Sequence, residues 1–133
     1  MEVNICPRLI EIMIKNGTNF IYNSSNYYNT DSLPKGLYST KIYNEGDIIR
    51  ELRGVLLLKP SKYSIHIGNG LHVIDDYGQY INHSFEPNTK IEQNKVICIK
   101  RIEIYDEITF NYNESEINMD SPFEYEGIKV SGK

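Results

Sequence analysis

A chain of 133 residues with 40% hydrophobic and 24% charged side chains has the size and balance of one globular domain with a modest core. Its net charge of −4 argues against a nucleic-acid-binding face, which would be basic, and suits attraction of a basic partner. Cys6 and Cys98 are too few for a disulfide framework and form no CxxC pair, no signal peptide or membrane-spanning run is visible, and the expectation is a reduced, intracellular protein.

Residues 3–15, VNICPRLIEIMIK, fit a helix entered at Pro7 or an alternating strand, with the helix preferred. Residues 16–32 are rich in Asn, Ser and Thr and read as turns around a short FIY strand. From Gly36 the character changes. GLYSTKIY is strand-like, Asn44 to Asp47 make a turn, and IIRELRGVLLL alternates early and then runs apolar, as a buried strand would. KYSIHIG puts Tyr63, Ile65 and Ile67 on one side and Ser64 and His66 on the other. Gly68, Asn69 and Gly70 form a hairpin-type turn into LHVID. TKIEQNKVICIKRI reads as two strands about Gln93 and Asn94, and YDEITFNY as one more. Residues 113–133 show little periodicity. Many short strands and almost no helix predict a β-rich domain.

His66, on the polar side of its strand, and His72, just after a turn, are expected to be solvated. His83 differs: it sits in the turn INHSFEPNT between apolar Ile81 and Phe85. No HxH or HxxxH spacing makes a metal site, no Ser/His/Asp set forms a triad, and GNG at 68–70 lacks the helix a phosphate loop needs.

Four segments then follow in one order: KGLYSTKIYNEGDIIRELRG, YINHSFEPNT, YDEITFNYN and MDSPFEYEGIKVSGK. The succession resembles the SET domain of protein-lysine methyltransferases, and KYSIHIGNGLHVID resembles a stretch of small microbial members. The resemblance implies a β-rich SET fold of several small curved sheets, with a C-terminal pseudoknot and few short helices. It divides the chain into an N-terminal extension and first strand at 1–33, a SET core at 34–113, and a tail at 114–133. It implies S-adenosylmethionine as methyl donor and a lysine in a basic protein or peptide, such as a histone, as acceptor. No direct nucleic-acid or membrane partner is expected.

Position by position, the resemblance assigns cofactor contacts to Lys35, Gly36, Leu37 and Tyr38, through backbone, and to Asn82, His83, Tyr112 and Phe123. His83 would give backbone contacts and a structural side-chain hydrogen bond rather than act as a base. Tyr112 is the implied catalytic tyrosine. Tyr80, Phe110 and Tyr125 would line the lysine channel, and Phe at 110 leaves room for di- or trimethylation. The KYSIHIG strand is the expected edge for an added peptide strand.

The chain departs from the family pattern in a concerted way. Phe85 stands at the family's NHSC cysteine, and the other tail cysteines are absent, with Tyr125 and Val130 in their region. No zinc is expected; Phe85, Tyr125, Phe123 and Val130 would pack where the metal sits. Asn111 replaces the usual Asp, and Leu52 replaces a channel tyrosine. The competing readings are a SET module that binds without turnover, and a β-rich interaction domain.

Overall fold

Short alternating segments cut by Gly and Asn turns leave each strand too brief to stand alone, so the chain builds several small sheets that share one core. The computed structural model describes residues 19–22 and 36–133. The helix expected over 3–15, Cys6 and Lys35 lie outside the described residues. In chain order the elements are β1 (Phe20–Tyr22), β2 (Gly36–Tyr38), β3 (Ile48–Glu51), β4 (Gly54–Leu57), β5 (Ile65–Gly68) and β6 (Leu71–Asp75). A 3-10 turn (Gly78–Tyr80), β7 (Asn82–His83), β8 (Thr89–Glu92), β9 (Lys95–Cys98) and β10 (Thr109–Phe110) follow, then α1 (Tyr112–Ser115), β11 (Phe123–Tyr125) and β12 (Ile128–Val130). Strands β1 and β2 pair, β3-β9-β8 and β4-β6-β5 form three-stranded sheets, and β7–β10 and β11–β12 are two-stranded. The several small sheets are those the resemblance implied, and the FIY strand is present as β1.

Leu37, Ile65, Val73, Val96, Ile102, Ile108 and Phe110 fill the core between the sheets. The β5–β6 hairpin turns at Asn69 and Gly70, both at positive φ (55° and 74°), as its tight turn demands. The expected turn at Gln93 and Asn94 joins β8 to β9, with Gln93 at φ 55°.

Three expectations are corrected. The run Ile48–Leu58 is not one strand: β3 and β4 belong to different sheets. Its second half is not buried, since Val55 and Leu56 are 61% exposed and Leu58 82%. Gly54 marks the break, because a Cβ there would collide with the Ile74 backbone. Second, His72 is buried, and His66, directly opposite it across β5–β6, is partly buried with ring centroids 5.1 Å apart. Neither is a solvated surface residue. Third, the tail carries a β11–β12 hairpin around Glu126 and Gly127, both at positive φ. A Glu-Gly pair is a weak turn signal beside Asn-Gly, which hid this hairpin from the pattern.

Asp75 ends β6 and organises the approach to the INHS turn. Its carboxylate meets Arg50 through both nitrogens of the fork, at 2.6 and 2.9 Å. It also accepts from the backbone N–H groups of Arg53 (2.9 Å), Tyr77 (3.1 Å) and Gly78 (2.6 Å). Burial alone would raise its pKa, but Arg50 and the backbone donors outweigh it and hold the carboxyl below its ordinary value. Arg50 in turn lies 4.5 Å over the Tyr77 ring.

Candidate active site

Strands β7 and β10 run parallel, with Thr109 beside Asn82 and Phe110 beside His83. The turn after β7 stitches this pairing. Asn88 Nδ2 donates to the Glu107 carbonyl at 2.8 Å, and its Oδ1 accepts from Thr109 N at 2.9 Å. Thr89 Oγ1 donates to the Thr109 carbonyl at 2.6 Å, and Ser84 N to Phe110 O at 3.1 Å. The polar turn of the sequence is therefore a clamp on the EITF strand, with the Asn88 and Thr89 side chains spent on its backbone.

His83 Nδ1 accepts from Tyr112 N at 3.0 Å, so that nitrogen carries no proton. Burial lowers the His83 pKa and keeps the ring neutral. Its Nε2 finds no hydrogen-bond partner and faces rings: Phe85 (4.3 Å between centroids), Tyr125 (5.2 Å), Tyr112 (5.3 Å) and Phe123 (6.1 Å), all near edge-on. Phe85 and Tyr125 also touch each other at 5.8 Å, and Val130 is fully buried. Among the described residues no group of three His, Cys, Asp or Glu could hold a metal.

Tyr112 opens α1, whose N-cap is Asn111: its Oδ1 accepts from Asn113 N at 2.9 Å, a task aspartate performs equally well. The Tyr112 hydroxyl donates to the Ile81 carbonyl at 2.5 Å. Burial, then the charges of Glu116 and Glu107, push its pKa far above the ordinary value. It stays protonated, with lone pairs left to accept.

A cavity of about 500 Å³ opens beside this hydroxyl, within the usual range for a small-molecule site. Asn82, His83, Phe110, Tyr112, Phe123, Tyr125 and Tyr80, all expected from the motifs, line it. Phe123 and Tyr125, 39% and 37% exposed, form its rim on the tail hairpin. Gly36 abuts the same wall: a Cβ there would fall 2.9 Å from Asn82 Nδ2 and collide with the Glu107 carboxylate. Leu37 and Tyr38 are buried behind it, and the Leu37 carbonyl is engaged by Ile108 N at 2.8 Å. Leu52 is a core residue against Gly78 and does not reach this cavity.

Two carboxylates on the cavity wall were not among the expected site residues. Glu107 accepts from Asn82 Nδ2 at 2.6 Å, and burial raises its pKa. Glu116, 6% exposed, accepts from His66 N at 3.0 Å, and burial pushes its pKa up to about 7. Neither pairs with a lysine or arginine among the described residues. The strand alternation hints at Glu107, opposite in face to Ile108 and Phe110; nothing in the sequence marks Glu116. The same region is tied down by Asn113, whose Oδ1 accepts from Ser131 N (3.1 Å) and Gly132 N (3.0 Å), and by Glu116 O, which accepts from Lys133 N at 2.7 Å. The outward N–H of His66 is thus occupied, and the β5 edge is covered there rather than open to a peptide strand.

Replacing Gly36 with alanine is expected to drive the Glu107–Asn82 pair apart. If the cavity takes the S-adenosylmethionine that the resemblance implies, its affinity by calorimetry is expected to fall at least about tenfold, with a melting temperature within a few degrees of wild type.

No curated protein matches this chain. Among solved structures, ctPRC2 in an autoinhibited conformation bound to S-adenosylmethionine is 23% identical, with TM-score 0.50, over 64% of this chain and 14% of that one. Chaetomium thermophilum Polycomb Repressive Complex 2 bound to GSK126 is 21% identical, with TM-score 0.50, over 64% and 15%. An apo ctPRC2 with two substitutions in Ezh2 is 19% identical, with TM-score 0.52, over 80% and 18%. At these identities the likeness is one of fold, and the chain spans less than a fifth of each. The family model of the SET domain matches residues 34–113, the span from Gly36 through Tyr112 that forms the cavity's inner wall; the chain belongs to the SET domain family.

Proposed function

We propose that this protein is an S-adenosylmethionine-dependent protein-lysine N-methyltransferase acting on a basic protein such as a histone. The observation that carries the reading is the Tyr112 hydroxyl, held by the Ile81 carbonyl at the wall of an anionic cavity.

The residues present fit a cationic cofactor. Gly36 leaves the space a Cβ would fill, Asn82 offers an amide, and the Glu107 carboxylate beside it supplies negative charge. Bound there, S-adenosylmethionine supplies a methyl group activated by its positive sulfur. Asn82, Gly36 and the Glu107 carboxylate would hold it, and the edge of Phe123 would close the rim. Tyr112 then orients the incoming amine. Its proton is committed to Ile81, so its oxygen can accept an amine N–H and fix the lone pair along the line of attack. Alignment of this kind is the largest contribution such a site makes, because a bimolecular step becomes effectively unimolecular. His83 positions Tyr112 by receiving its backbone N–H; neutral and walled by rings, it is not a proton carrier.

Radiolabelled methyl transfer to core histones and ribosomal proteins, run beside Tyr112→Phe, tests the reading. Label from wild type and none from the variant supports it. Cofactor binding without transfer on any substrate favours a non-catalytic binding module, and no cofactor binding removes both readings.

Phe110 is 2% exposed, with its ring 4.7 Å from that of Tyr112. A hydroxyl added there enters the space a methylated amine needs. Phe110→Tyr is expected to lower the ratio of di- to monomethyl product roughly tenfold, read by mass spectrometry of a methylated peptide. An unchanged product distribution would show that Phe110 does not set the methylation degree.

A further inference from the structure

The methyltransferase reading leaves one chemical step without a residue. A lysine arrives as an ammonium, with an ordinary pKa near 10.4, and an ammonium has no lone pair to attack with. Tyr112 cannot remove the proton, since burial and two nearby carboxylates hold its own hydroxyl protonated. His83 cannot, since its one basic nitrogen is filled by the Tyr112 N–H.

Of the two buried carboxylates on the cavity wall, Glu107 is engaged by the Asn82 amide at 2.6 Å, which leaves Glu116. It is 6% exposed, lines the cavity that holds the Tyr112 hydroxyl, and lies close enough for its charge to act on that hydroxyl. A buried carboxylate without a cation is costly, and among the described residues no lysine or arginine pairs with this one, whose backbone donor is His66 N at 3.0 Å. The charged and titratable groups around it are few. Tyr112 lies one turn before it, and Glu107 lines the same cavity. His66 Nδ1 bonds the Ser115 carbonyl at 2.9 Å, and its Nε2 accepts from Gly70 N at 3.3 Å. His72 stacks behind His66 and is kept neutral by burial. Lys62 and Asp120 line the rim, with the Lys62 ammonium 5.7 Å from the Tyr63 ring centroid.

We propose that Glu116 is the proton acceptor for the substrate lysine, on the side of the cavity formed by residues 63–65, and that it sets the pH range of the reaction. The balance is simple. The ammonium N–H bond breaks as an O–H bond forms on Glu116, leaving a neutral amine and a carboxylic acid. The amine lone pair then forms the N–C bond to the donor's methyl group. The C–S electron pair stays on sulfur, and the Glu116 proton returns to solvent. A carboxylate with its pKa near about 7 can both receive and release that proton near neutrality. This role rests on the methyltransferase reading and adds the residue that reading lacks.

The test is a pH–rate profile of the full chain on core histones for wild type and Glu116→Gln, with S-adenosylmethionine affinity measured on both. Glutamine keeps the acceptor for His66 N but cannot take the proton. The expected result is unchanged cofactor affinity with a rate about thirtyfold below wild type at pH 7, closing to within about threefold near pH 9.5, where free amine is more plentiful. A ratio constant across pH, or no loss at neutral pH, overturns the proposal. Carbon-13 NMR of glutamate carboxyls in wild type reports on Glu116 without any turnover and without relying on the variant's folding. A resonance lost in Glu116→Gln, or assigned through-bond if that variant does not fold, should titrate near 7. One titrating in the ordinary range of about 4 to 5 overturns the proposal. If Glu116 titrates near 7 but wild type transfers no methyl group at any pH, the methyltransferase reading has failed and this role falls with it.

Discussion

Tyr112→Phe is expected to abolish methyl transfer to within detection, a loss of about a hundred- to a thousandfold, while cofactor affinity and thermal stability stay close to wild type. The magnitude is that of deleting one preorganised polar contact at a reacting centre. The substitution removes one hydroxyl and little else. The ring keeps its neighbours, Phe110 at 4.7 Å and His83 at 5.3 Å, and the backbone N–H still donates to His83. The Ile81 carbonyl loses a donor, a cost of about 1 kcal/mol that the fold can bear. Single-turnover transfer together with a thermal melt separates the outcomes. A dead but folded, cofactor-binding variant places the chemistry at this hydroxyl. A variant retaining more than about a tenth of the rate would mean that alignment comes from elsewhere in the cavity.

The largest effect on stability is expected at Asp75. Its side chain is fully buried, pairs bidentately with Arg50 and receives three backbone N–H groups. Asp75→Ala leaves Arg50 unpaired and those donors orphaned, for a loss of roughly 3–5 kcal/mol. For a domain of this size that is a fall in melting temperature of about 10–20 °C. Asp75→Asn, which keeps an acceptor but not the charge, should lose less. The sign of the pH dependence follows from the depressed pKa: the folded carboxyl binds protons less readily than the unfolded one. Its contribution is present above the unfolded pKa and is lost as pH falls through the folded one. Wild type and Asp75→Asn should therefore converge in stability under acid, by urea melts across pH. A constant gap down to the lowest pH would show that shape, not charge, holds this corner. Because Tyr77 and Gly78 lead directly into Tyr80 and Asn82, Asp75→Ala should also weaken cofactor binding by loosening the cavity wall.

Much of the site was legible because motif residues carry local chemistry. Asn82, His83, Phe110 and Tyr112 were marked by short patterns, and the structure places all four around one cavity. The resemblance implied a structural bond for the His83 side chain, and the structure gives it one, to Tyr112 N. Legibility ended where a residue's role depends on what covers it. His66 and His72 alternate as surface residues should, yet each meets the other across the hairpin, and His66 also meets the segment after α1. Val55, Leu56 and Leu58 read as a buried strand, yet stand exposed on the outside of their sheet. Periodicity reports which residues share a face; it carries no information on whether that face finds a partner.

By itself the sequence determined the local conformations of the strand segments from Gly36 and the tight turns at Asn69–Gly70 and Gln93–Asn94, whereas Tyr112, expected at the end of a YDEITFNY strand, instead opens α1 after Asn111. Those strands and turns depend on backbone sterics and neighbouring side chains, which a few adjacent residues settle. The tertiary structure alone decided the rest. The parallel pairing of β7 with β10 joins residues 27 apart, and the tail closes back on α1 through Asn113. Glu116, an unremarkable acid in a tail segment, becomes a buried carboxylate where β5 and the residues after β12 come together on it. Contacts of this range form only after the loop between them is ordered, so their energy belongs to the whole fold and leaves no trace in any short window of sequence.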